Sequence, residues 1–121
     1  DAGNATDAKR IATDVLAAAR RSLPENNVRL GPPLFALARA ELALGRPAEA
    51  ETLAREALAI RTALLPPHDP RVLEVKVALV NALAAQARTA DAAALHAELT
   101  PALASLSSSY GADLRARVGS P

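Results

Sequence analysis

Residues 37–72 read LARAELALGRPAEAETLAREALAIRTALLPPHDPRV. Two stretches of helical character meet at a glycine turn, and a proline-rich linker closes the unit. The turn, Gly45-Arg46-Pro47-Ala48-Glu49-Ala50, has an echo forty-two residues earlier in Gly3-Asn4-Ala5-Thr6-Asp7-Ala8. A weaker echo lies forty-two residues later, in Ala87-Arg88-Thr89-Ala90-Asp91-Ala92. The register holds outside the turn. Ile11, Leu53 and Leu95 share one phase, as do Leu23 and Leu65, Pro24 and Pro66, Arg29 and Arg71, and Leu37 and Leu79. A gapless period of this size marks a stacked array, in which each unit buries its apolar face against its neighbours. Such arrays present a surface more often than they perform chemistry.

Composition agrees. The 121 residues suffice for one domain. Half are apolar, and about a quarter are alanine, the strongest helix former and a poor strand former. Phe35 and Tyr110 are the only aromatic residues. No alternating β-branched run bounded by tight turns is present, so the expected class is all-α. The net charge is +1, with acids and bases interleaved, which argues against a nucleic-acid surface. The absence of cysteine excludes disulfides and thiolate metal sites. No apolar run reaches membrane-spanning length and no signal peptide is visible, so neither a membrane partner nor export is expected and the compartment reads as cytoplasmic. The chain opens at Asp1 instead of methionine, so sequence is expected upstream. Arginine in place of lysine, with the alanine content, suggests a bacterial source.

Five helices are expected. The first covers about 5–23, with Asn4 as N-cap, an apolar stripe of Ala8, Ile11, Ala12, Val15, Leu16, Ala19 and Leu23, and Pro24 as terminator. The second covers 32–44, with Pro32 and Pro33 in its first turn and Gly45 ending it. The third, 47–65, carries the stripe Ala50, Leu53, Ala54, Ala57, Leu58, Arg61 and Leu64, with Glu51 and Arg55 paired on its outer side. Asp69 and Pro70 cap and open the fourth, which ends near Gln86. The fifth starts near Thr89 and should break or kink at Pro101, where a proline ring clashes with the preceding turn. Leu103 and Leu106 then follow, and Ser107-Ser108-Ser109 and Gly111 end the segment. Short connections make neighbouring helices antiparallel.

The quoted stretch resembles a tetratricopeptide repeat of the longer, kinesin-light-chain type. That family has a 42-residue period, a Gly-Arg/Lys-x-x-Glu-Ala turn, an Ala-Leu-x-Ile-Arg segment and a Gly-Pro-Asp-His-Pro-x-Val linker. Here the linker is Pro66-Pro67-His68-Asp69-Pro70-Arg71-Val72, with Asp and His exchanged. The resemblance implies an α-solenoid whose shorter helices line a concave, peptide-binding face. Residues 1–121 then form one domain: a half repeat at 4–24, repeats at 30–66 and 70–109, and a tail at 110–121. The family often carries an Asn-Asn pair that clamps a ligand backbone. In this register the pair falls on Phe35-Ala36 and on Val77-Ala78, so the clamp is absent from both. Polar groups appear four residues later, at Arg39 and Asn81, positions that tend to face the groove in such domains.

Arg39 and Asn81 are equivalent across the period and are candidates to hydrogen-bond a peptide, arginine in bidentate fashion; the plain alternative is a pair of solvated side chains. Phe35 and Val77 are candidates for an apolar floor, and helix packing explains them equally well. His68 belongs to the linker turn. His96, in the phase of Ala12 and Ala54, marks the end of the array; two distant histidines make no metal site. Glu49, Glu51 and Glu56 read as a solvated face flanked by arginines, not as acid–base machinery.

These observations lead to a non-enzymatic interaction module without cofactors or metals, binding a peptide or protein through Phe35, Arg39, Val77 and Asn81. The alternative is an oligomerising or structural C-terminal segment of a larger bacterial signalling or regulatory protein, such as a kinase or transcription regulator. The first helix matches the second helix of a repeat, so it lacks a neighbour on one side. Leaving Ile11, Val15 and Leu16 wet would cost about 1.5–3 kcal/mol for each large side chain. Upstream sequence, or a second copy in a homodimer, is therefore expected to cover them.

Overall fold

The computed structural model describes residues 2–106 and 116–117. Among residues 2–106 five α-helices follow in order: α1 Ala2–Ser22, α2 Gly31–Ala43, α3 Pro47–Leu64, α4 Pro70–Ala85 and α5 Thr89–Ala104. A 3-10 turn, Val28–Leu30, leads into α2; the sequence reading did not anticipate it. Asn27 caps that turn by accepting from the Arg29 N–H at 2.9 Å. Asp69 caps α4 in the same way, accepting from the Arg71 N–H at 2.9 Å. Proline opens α3 and α4 at positions where the helix leaves the N–H unused.

Each helix packs on the next, and the backbones of α2 and α4 also approach each other, whereas α1 meets α3 through side chains, Arg20 donating to both carboxylate oxygens of Glu56 at 2.9 and 3.0 Å. The layer of α2 and α4 is therefore the tighter, inner side of the array. The alternation of helix and turn produces the all-α helical repeat solenoid that the period predicts. The core runs along the seams. Leu34, Leu37, Ala54, Ala57, Ile60, Val75 and Leu79 join α2, α3 and α4. Leu73, Val77, Val80, Leu99 and Leu103 join α4 to α5. Alanines such as Ala54 and Ala57, both fully buried, allow the helices to approach closely where larger side chains would hold them apart.

Several expectations need correction. Asn4 lies inside α1 and does not cap it, because the helix already begins at Ala2. Ala8 is exposed, and the buried line on α1 is Ala5, Ala12 and Leu16. Leu64 is 58% exposed, and it is Ile60 and Arg61 that take the buried positions on this part of α3. Helix α5 continues through Pro101 to Ala104 without breaking. Pro101 and Ala97, whose carbonyl loses its helical donor, are both exposed, where water can serve that carbonyl. The expected terminus at Ser107–Gly111 lies outside the described residues, as does the tail apart from Ala116 and Arg117.

Candidate functional site

The inner layer carries a cavity of about 280 Å³ between α2 and α4, lined by Phe35, Arg39, Leu42, Glu74, Val77, Asn81 and Arg117 among others. All four groove residues singled out from the sequence meet there. Phe35 and Arg39 project from successive turns of α2, and Val77 and Asn81 do the same from α4, because residues four apart share a helical face. Val77 is 3% exposed and belongs to the α4–α5 core while also lining the cavity. Phe35 is half-buried, Arg39 exposed and Asn81 intermediate.

Charge organises this cavity. The Arg39 guanidinium stands 5.7 Å from the Phe35 ring centroid, within cation–π range. A second guanidinium, that of Arg61 on α3, stands 5.6 Å from the same ring. Arg61 is buried, donates to Glu74 Oε2 at 2.7 Å and donates to the Arg71 carbonyl at 2.7 Å. Its role escaped the sequence reading, which placed it in an apolar stripe. The available signal was its presence at a buried phase of α3, with Glu74 one turn into the next helix. The Asn81 Nδ2 donates to the Arg117 carbonyl at 2.9 Å, bringing the chain's own distal residues into the cavity.

Glu51 also differs from its expected place. Its carboxylate is largely covered, and it binds the α4–α5 turn instead of lying on an outer face. It accepts from Arg55 Nε at 2.8 Å, from Gln86 Nε2 at 2.9 Å and from Arg88 at 2.7 and 2.9 Å. The Gln86 bond first, then those from Arg55 and Arg88, hold its pKa below the ordinary carboxylate value against the opposing effect of burial. This cluster ties one repeat to the next and contains no nucleophile.

The three candidates on α1 separate. Ile11 and Val15 are 54% and 50% exposed, whereas Leu16 is 7% exposed and packs in the core, so it offers no outer surface. His68 is exposed in the α3–α4 connection and His96 is half-buried on α5. Among the described residues no group of three or more His, Asp or Glu is placed to hold a metal ion. Among the same residues no helix is long and apolar enough to cross a membrane.

Residues 36–71 match the family model described as tetratricopeptide repeat, of the kinesin-light-chain-like type. The matched span runs from the first turns of α2 through α3 to the opening of α4. No curated protein matches the chain significantly.

Proposed function

With residues 36–71 forming a tetratricopeptide repeat, we propose that the chain is a non-catalytic binding module whose α2–α4 groove takes a peptide or a segment of a partner protein. The family is generally a protein–protein interaction module. The observation that supports this groove is the meeting of two repeat-equivalent pairs, Phe35 with Val77 and Arg39 with Asn81, around one cavity. An apolar floor with a few convergent polar groups is the common composition of a ligand site. Arg39 offers a fork of donors to a carboxylate or carbonyl, and Asn81 offers both a donor and an acceptor to a main chain.

The test uses peptides selected from a random library on the full chain. Binding of the selected peptides should weaken at least tenfold, about 1.4 kcal/mol, in the Arg39→Ala plus Asn81→Ala variant. Unchanged binding would move the site off this groove.

The exposure of Ile11 and Val15 favours a second reading, an assembly segment within a larger protein. Helix α1 is held on its inner side by α2 and, through Arg20 and Glu56, by α3, and a second copy would cover the face that carries Ile11 and Val15. Sedimentation of the full chain distinguishes the two: a monomer at all accessible concentrations removes the homodimer.

A further inference from the structure

Two joints of the array carry the same carboxylate and answer it differently. Glu56 on α3 and Glu98 on α5 occupy one phase of the period. Glu56 takes the guanidinium of Arg20 fork to fork, at 2.9 and 3.0 Å, so an arginine spans the gap between α1 and α3. At the next joint the residue in the phase of Arg20 is Thr62, whose hydroxyl donates back to the Leu58 carbonyl of its own helix at 2.8 Å. Glu98 turns instead to Lys76 on α4, which donates to its Oε1 at 2.8 Å. Its Oε2 receives no bond from the described residues, and the Glu98 side chain is 60% exposed against 35% for Glu56. The gap between α3 and α5 stays open as a groove of about 450 Å³. Lys76, Leu79 and Leu83 line it from the face of α4 opposite to Val77 and Asn81, so it lies on the outer side of the array.

Leu58, Leu79, Leu83 and Leu95 make the groove apolar. Asp91 and Glu98, one turn to either side of Leu95, make its α5 rim acidic. Arg55 and Arg88 also line it, and both are already engaged by Glu51. We propose that this outer groove is a second docking site, for a helical segment of a partner protein that lays an aliphatic side chain on the leucines and an arginine on Glu98. The chain's own preceding joint supplies the chemistry: what Arg20 does for Glu56 in cis, the partner does for Glu98 in trans. Leu95 and Glu98 lie about 4.5 Å apart along the α5 axis. A helix running along the groove meets both with an aliphatic residue and an arginine three or four positions apart, since such residues share a face. The site shares no residue with the α2–α4 groove, so neither reading depends on the other.

The probe is a capped peptide copying residues 11–22, which carries Leu16 and Arg20 four positions apart. It is titrated into the isotope-labelled full chain. The amide resonances of Leu95 and Glu98 should shift saturably. Thr62 and Glu98 are both exposed, so substituting them spares the core. The apparent affinity should fall at least tenfold in Glu98→Gln, and equally when the peptide carries Arg20→Ala. It should also fall in Thr62→Arg, which supplies the guanidinium from α3 and closes the gap as Arg20 closes its own. Absence of a saturable shift at Leu95 and Glu98 would overturn the proposal, as would a shift that survives Glu98→Gln or Thr62→Arg. The Arg39→Ala plus Asn81→Ala variant should bind this peptide unchanged; a loss there would place the peptide in the α2–α4 groove and overturn the outer site. Peptides selected for the α2–α4 groove can fail to bind while this titration succeeds, and the reverse.

Discussion

Arg61 Nη1 stands 2.7 Å from Glu74 Oε2, joining α3 to α4 directly behind the Phe35 ring. The two side chains are only 6% and 16% exposed. Removing one partner of such a pair leaves the other charge buried and unmatched, which costs more than the pair contributes to stability. Glu74→Ala should therefore destabilise the chain by about 3 kcal/mol. Urea unfolding monitored by far-UV circular dichroism checks this, and a loss below about 1 kcal/mol would mean the pair is solvated like a surface salt bridge.

Gly31 explains why Arg61 can lie where it does. A Cβ on Gly31 would come 2.9 Å from Arg61 Nε. The backbone of Gly31 is helical, with φ −57°, so glycine is required there by space and not by conformation. Arg61 cannot move aside freely, because Glu74 and the Arg71 carbonyl hold its guanidinium. Gly31→Ala should cost about 1–3 kcal/mol, the usual penalty for overfilling a packed site. In a double-mutant cycle most of that cost should vanish in the Arg61→Ala background. A cost equal in both backgrounds would point away from the Arg61 contact.

The period made the architecture legible, because glycine, proline and apolar positions recur in phase and each dictates a local conformation. The four groove residues were legible for the same reason: four-residue spacing places them on one helical face. Arg61 and Glu51 were not. Both are charged residues whose burial depends on a partner far along the chain, Glu74 in one case and Gln86 with Arg88 in the other. Helical periodicity reports which face a residue occupies but not which charge waits opposite it. The continuity of α5 through Pro101 was hidden in a similar way, since the exposure of the orphaned carbonyl decides whether the helix breaks.

Ala87 sits at the phase of Gly45, and both adopt positive φ, 59° and 76°. The turn before α5 thus imposes on alanine a left-handed conformation that glycine takes without strain. Ala87→Gly should stabilise the chain by about 1 kcal/mol, raising Tm by roughly 4–8 °C. Thermal melts at matched concentration measure it. A fall in Tm would mean that the side chain contributes more than its backbone strain removes.

Glu51 should also make stability depend on pH. Its folded pKa is depressed, so the unfolded chain binds the proton more readily. The stabilisation is fully present above the ordinary carboxylate pKa and is lost as pH falls through the folded value. Stability should therefore decline on the acid side, below about pH 4.5. Glu51→Gln should lower stability at neutral pH and flatten that decline. A variant whose acid limb stays parallel to that of the native chain would assign the dependence to other carboxylates.

Leu16 and Ile11 share a helix but not an environment, and this contrast tests what covers α1. Leu16 is 7% exposed and Ile11 54%. In an isolated chain Leu16→Ala should cost about 3 kcal/mol, as a cavity in a packed core does. Ile11→Ala should cost less than about 1 kcal/mol, since half of its side chain already meets water. If a second copy covers the face, the cost of Ile11→Ala should grow with protein concentration, because dimer stability is tied to mass action. Urea unfolding at two concentrations a hundredfold apart reads both quantities. A small, concentration-independent cost at Ile11 would leave this face open in the isolated chain and remove the homodimer.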